Sequence, residues 1–222
     1  CDGSFDGAGG RIVCPASHPQ GDPSPKLLIF DLNSASVSPC LALEAPRGAL
    51  GSTQLQLLGW GDQRAHFGHG DTLVLWGSLL WDLRMPTPIH RFDRFTDAGR
   101  SRFHPNGLEI LLNSEVWDLR THKLLRTVPS LDGTDFAFSS SGEVVYAWRA
   151  PSVAGDSNDA DSGTLRVLDA RDYDEVYAAG LDRQVVDLSV SPEDTFLATV
   201  SFDLADQGGG SCAVKTYEIG RR

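Results

Sequence analysis

Apolar residues come along this chain in short runs, each cut off by Gly, Pro, Ser, Asn or Asp. No segment keeps a 3.6-residue apolar period, so helix is expected to be scarce. The runs are rich in Val, Leu, Phe, Tyr and Trp, which favour strands. Lys26 to Asp31 is the first clear strand, and Cys40 to Leu43 the second. Residues 44–61 read as irregular. Four strands follow, at Ala65–Phe67, Thr72–Trp76, Leu79–Asp82 and Pro88–Phe92, with Gly77-Ser78 as a two-residue hairpin loop. A second group of four has Ser101–Phe103, Leu108–Leu112, Val116–Asp118 and Leu124–Val128, and His104-Pro105-Asn106-Gly107 is its first turn. A third has Phe136–Phe138, Glu143–Trp148, Leu165–Asp169 and Glu175–Tyr177. The last has Val185–Val190, Thr195–Val200 and Ala213–Ile219, and lacks a fourth strand. Residues 1–26 hold Gly, Pro, Ser and Asp with little periodicity and are expected to be an irregular segment.

The runs repeat. Leu80-Trp81-Asp82-Leu83-Arg84 returns as Val116-Trp117-Asp118-Leu119-Arg120. Looser copies stand at Leu28–Leu32, Arg166–Arg171 and Val214–Ile219, with Asp31, Asp169 and Glu218 as their acidic residues, which makes the intervals between acidic positions 51, 36, 51 and 49 residues. A period near about 40 residues with a Trp-Asp ending marks a four-stranded β-propeller blade. The expected fold is therefore all-β, a partial WD-repeat β-propeller over 27–222. Its seventeen expected strands make about four blades. Few rings of this repeat type are that small, so the remaining blades are expected outside the sequence. The opening residue Cys1, with Met85 as the single methionine, fits a piece of something longer.

Composition narrows the function. At 41% apolar and 22% charged, the 222 residues are ordinarily globular. A formal charge of −11 argues against nucleic acid as the main partner, since phosphate binding needs a basic field. No apolar run approaches the ~18 residues of a membrane span, and no secretory leader is recognisable. Cys1, Cys14, Cys40 and Cys212 have no metal or redox spacing, which suggests a reducing compartment.

No catalytic constellation assembles. Gly7-Ala8-Gly9-Gly10 lacks the Lys-Ser/Thr of a phosphate loop. The acidic run from Asp156 has no Glu at its twelfth position to close a calcium site. His66 and His69 flank a turn with nothing nearby to complete a metal centre, so no metal or cofactor is expected. Arg91, Arg94, Arg100 and Arg102 alternate with Asp93 and Asp97, the pattern of a solvated, salt-bridged face.

The Trp-Asp-x-Arg copies carry the remaining signal. Trp81 and Trp117 are expected to pack between blades, and Asp82 and Asp118 to cap the next turn by accepting backbone N–H groups. That leaves Arg84 and Arg120 unexplained. Two residues past the Asp, each falls at a strand end, and strand ends of one type share a face. Two guanidinium forks about one blade apart suit the carboxylates or carbonyls of a partner protein. Asp169-Ala170-Arg171 repeats the spacing without the Trp, and makes Asp169 and Arg171 possible additions.

These residues also carry a resemblance. Leu79 to Asp132 is similar to the C-terminal WD-repeat domain of the Vpr-binding protein family, substrate receptors of the cullin-4 ubiquitin ligase. The matching stretches are Leu80 to Arg84, Ile89 to Phe95, Phe103 to Glu109, Val116 to Arg120 and Leu124 to Pro129. Weaker similarity runs from Leu27 to the end. The resemblance implies a seven-bladed propeller in the nucleus that docks on the damaged-DNA-binding adaptor, DDB1, through Asp82, Arg84, Asp118 and Arg120. Its opposite face, where the insertions at 149–163 and 202–211 open, would present protein substrates. The expected role is a non-catalytic substrate receptor. The alternatives are a WD-repeat interaction scaffold unconnected to a ligase, and a propeller enzyme with a channel metal, for which no repeated ligand is visible.

Overall fold

The computed structural model describes residues 4–16, 26–34, 38–45, 64–68, 70–92, 100–149, 163–181, 184–203 and 211–220. These form nineteen strands and a single 3-10 turn at Pro129–Leu131. The chain divides into two compact units, Cys1–Arg126 and Thr127–Arg222.

The first unit contains three antiparallel meanders. Sheet one joins β1 (Ser4–Phe5), β2 (Arg11–Ala16), β3 (Lys26–Asp31) and β4 (Leu41–Glu44). Sheet two joins β5 (Ala65–Phe67), β6 (Leu73–Trp76), β7 (Leu79–Asp82) and β8 (His90–Arg91). Sheet three joins β9 (Ser101–Phe103), β10 (Glu109–Leu112), β11 (Glu115–Asp118) and β12 (Leu124–Thr127), whose last residue opens the second unit. In that unit sheet four has β13 (Asp135–Phe138), β14 (Val144–Trp148), β15 (Thr164–Asp169) and β16 (Glu175–Gly180). Sheet five has β17 (Gln184–Val190), β18 (Phe196–Asp203) and β19 (Ser211–Glu218).

Two expectations are corrected. Residues 1–26, expected as an irregular segment, hold β1 and β2, which complete a sheet with β3 and β4. The blade count rises accordingly from about four to five. β2 includes Pro15, which cannot donate to a ladder. It is tolerated because β1 pairs only with Ile12 and Val13, so β2 has one neighbour at Pro15. The insertion loops lie largely outside the described residues, as do the acidic run at 156–162, His69 and Arg94.

Period-2 alternation sends the two faces of one strand into different cores. Val74, Trp76, Leu79 and Trp81 face sheet one and pack on Val13, Leu27, Ile29 and Leu43. Their neighbours Leu75 and Leu80 join Phe92, Ile110, Leu112 and Trp117 in a core between sheets two and three. In the second unit Tyr146, Trp148 and Leu165 meet Val185, Leu188 and Leu197. Fully burying side chains of this size contributes about 1.5–3 kcal/mol each.

Close approach at the strand ends also fixes the sheets of the first unit. A Cβ on Gly68 would stand 2.9 Å from the ring of Phe103, so only glycine lets β9 come this near. Arg102 reaches the ring of His66 alongside. Burial, and then the charges of Arg102 and Arg64, hold that imidazole well below its ordinary pKa, so it is neutral.

Candidate functional site

The acidic repeats mark one structural position. Each stands at the end of a third strand, opposite the first residue of the second: Arg11↔Asp31, Leu73↔Asp82, Glu109↔Asp118, Val144↔Asp169 and Phe196↔Glu218. In the four aspartates, Oδ1 accepts the backbone N–H two residues on. The donors are Asn33 at 2.9 Å, Arg84 at 2.9 Å, Arg120 at 3.0 Å and Arg171 at 2.9 Å. The aspartate therefore builds the turn and aims the next backbone. Trp81 and Trp117 are core residues, placed between sheets one and two and between sheets two and three.

The two arginines of the full motif differ. Arg84 folds back onto its own aspartate: Nε donates to Asp82 Oδ1 at 2.8 Å, and Nη2 to Oδ2 at 2.5 Å. This fork, followed by the Arg84 backbone N–H, outweighs the cost of burial and lowers the Asp82 pKa from 3.8 to about 2. The Arg84 side chain is nonetheless 76% exposed, against 12% for Asp82. Among the described residues its Nη1 makes no hydrogen bond.

Asp118 is occupied otherwise. Its Oδ1 accepts the N–H of Thr121 at 2.6 Å and the Thr121 hydroxyl at 2.8 Å. The Thr121 backbone, then its hydroxyl, lower the Asp118 pKa. The exposed guanidinium of Arg120 has no hydrogen bond or ion pair among the described residues. The turns also differ three residues past each aspartate, where Thr121 supplies a hydroxyl and Met85 has none to give.

The two turns are neighbours. His90, at the start of β8 just beyond the Arg84 turn, stacks on His122 of the Arg120 turn, with ring centroids 4.0 Å apart. Phe92 meets Trp117 edge-on at 5.1 Å beneath them. The first unit thus carries both guanidinium groups at one end of adjacent sheets. Arg171 is exposed on its own Asp169-capped turn in the second unit.

One set of polar residues was missed from the sequence. The turn between first and second strands closes with an i→i+3 bond in all five sheets and ends on Gly9, Asp71, Gly107, Gly142 or Asp194. All five have positive φ. The two aspartates tolerate this backbone and use their carboxylates as latches to the preceding sheet. Asp71 Oδ1 accepts Gly7 N–H at 2.8 Å. Asp194 accepts Ser140 N–H at 2.6 Å and Ser141 N–H at 2.9 Å. The available signal was an Asp in a turn position that is Gly elsewhere.

Five consecutive meanders, four with an Asp-capped turn after the third strand, define the class: an all-β, five-blade, β-propeller-like protein of WD-repeat type. Its backbone is similar to the β-propeller domain of Myceliophteria thermophila Cps50 (Swd1). The TM-score is 0.57 over 93% of this chain and 66% of that one, at 14% identity, a likeness of fold alone. Over most of its own length the chain is a homologue of the DDB1- and CUL4-associated factor 1 proteins, the Vpr-binding protein family. It is 36% identical over 204 residues, 88% of the chain, to DDB1- and CUL4-associated factor homolog 1 of Arabidopsis thaliana. Over 71% of the chain it is 38% identical to protein mahjong of Drosophila melanogaster and 32% identical to the Caenorhabditis elegans homolog. The chain spans 10% of the length of each of these relatives. No protein-family model matches it.

Proposed function

We propose that this chain is the propeller part of a non-catalytic substrate receptor, acting in the nucleus with a cullin-4 ubiquitin ligase. It docks on a DDB1-type adaptor through the Arg84 and Arg120 turns and brings protein substrates to the ligase. The observation that carries this reading is the pair of adjacent Asp-capped turns, each lifting an exposed arginine from a rigid strand end. Asp82 and Asp118 hold the backbone of those turns, so most of the ordering cost is met before a partner arrives. The names of the relatives support the choice of adaptor.

The fork between Arg84 and Asp82 favours a second reading, a propeller scaffold in which Arg84 serves only its own turn and Arg120 is solvated. Capture of purified adaptor by the 222-residue chain separates the two. Under the first reading, Arg84→Ala with Arg120→Ala abolishes capture while the melting profile stays close to that of the unmutated chain. Capture unchanged by the double substitution would leave the scaffold reading standing.

A further inference from the structure

Where each first turn feeds its second strand, one residue lends its carbonyl to the residue that follows the acidic position. The five are Gly10, Thr72, Leu108, Glu143 and Thr195, receiving Leu32, Leu83, Leu119, Ala170 and Ile219 at 2.8–2.9 Å. Four of the five are glycine or polar. Leu108 is the exception, and it is 65% exposed. A single exposed leucine means little by itself. This one is held in place and has a particular neighbour. Asn106 Oδ1 accepts the N–H groups of Leu108 at 2.8 Å and Glu109 at 3.3 Å, and Asn106 N–H is fixed on His104 Nδ1 at 3.0 Å. Directly across is Leu119, and the next residue is Arg120, whose guanidinium is unengaged among the described residues. On that turn Asp118 gives its Oδ1 to Thr121 and to the Arg120 backbone N–H, not to the guanidinium.

Resting on the docking reading above, we infer that Leu108 is the apolar anchor of that surface. It seats in an apolar recess of the adaptor whose rim bears a carboxylate for Arg120. An apolar centre shielded from water, with an arginine at its margin, is the usual make-up of a protein-interface hot spot. It would also assign unequal roles to the two motif copies. Arg120 works with Leu108 as the main contact, and Arg84, already engaged by Asp82, contributes through its remaining Nη hydrogens.

The test is adaptor affinity of the full chain, of Leu108→Thr and Leu108→Glu, and of Arg120→Ala, at about 50 and 300 mM salt. Thr and Glu already stand at this place in other sheets, so both variants keep the fold. Leu108→Thr is expected to weaken binding about tenfold at both salts, because the loss is apolar, and Leu108→Glu more. The Arg120→Ala loss is expected to shrink at high salt. Hydrogen exchange on the unmutated chain gives a readout independent of the variants: amides of 106–109 gain protection when adaptor is added. If both Leu108 variants bind like the parent while Arg120→Ala binds weakly, the anchor is wrong and the docking stands. No gain in protection at 106–109 also overturns the anchor. If the parent chain itself does not bind adaptor, the docking reading fails and the anchor falls with it.

Discussion

Asp82 and Asp118 end matching strands, yet the residue three positions on sets what each carboxylate holds. With Met85 there, Asp82 takes the guanidinium of Arg84; with Thr121 there, Asp118 takes a hydroxyl and leaves Arg120 out. Thr121→Met is therefore expected to fold Arg120 back onto Asp118, seen as a downfield, slowly exchanging Arg120 Nε–H by NMR. The pH dependence of the Asp82 pair has a definite sign. Its folded pKa, about 2, lies below the usual 3.8, so its stabilising contribution is complete above about pH 4 and disappears as pH falls through about 2. Arg84→Gln should lower the melting temperature slightly at pH 6 and progressively less as pH falls through about 2, and should return the Asp82 titration toward 3.8. The effect is small because the arginine is mostly in water.

At the scale of elements, the latches from one sheet's first turn to the next are open to test. Asp194→Gly keeps a residue suited to φ 53° and removes the carboxylate's bonds to Ser140 and Ser141, at a cost of about 1–2 kcal/mol by urea unfolding. Asp194→Ala adds left-handed strain of about 1 kcal/mol more, and the difference between the variants isolates that strain. The same scale shows what could be read in advance. Strands such as Ala65–Phe67, Leu79–Asp82 and Ser101–Phe103 were legible to the residue, because strong turn residues such as Gly68, Gly77-Ser78 and His104 to Gly107 bound them. β1 and β2 were not: a two-residue strand has no period, and β2 contains a proline. The capping of Asp82 and Asp118 was legible because it is local. The different fates of Arg84 and Arg120 were not, since they depend on which donor reaches a carboxylate first. Nor was Leu108, whose exposure shows only when five sheets are compared.

For the molecule as a whole, stability rests on cores between successive sheets. Trp81→Ala and Trp148→Ala should each cost about 3–5 kcal/mol, measured as a lower urea midpoint. Trp117, packed edge-on to Phe92, belongs to the same set. Function is expected to be electrostatically selective at this scale. A net charge of −11 repels polyanions, so the chain should pass unretained over immobilised DNA at physiological salt, while the Arg120 end still meets an acidic protein surface.

Sheet one already contains the same capped bend, with Asp31 accepting the N–H of Asn33. An amide side chain sits where sheets two and three project a cation. Under the proposed docking, Asn33→Arg would therefore add a third cation beside those of Arg84 and Arg120. Tighter grip by that variant would show that nature left this position blank by choice of side chain and not by architecture.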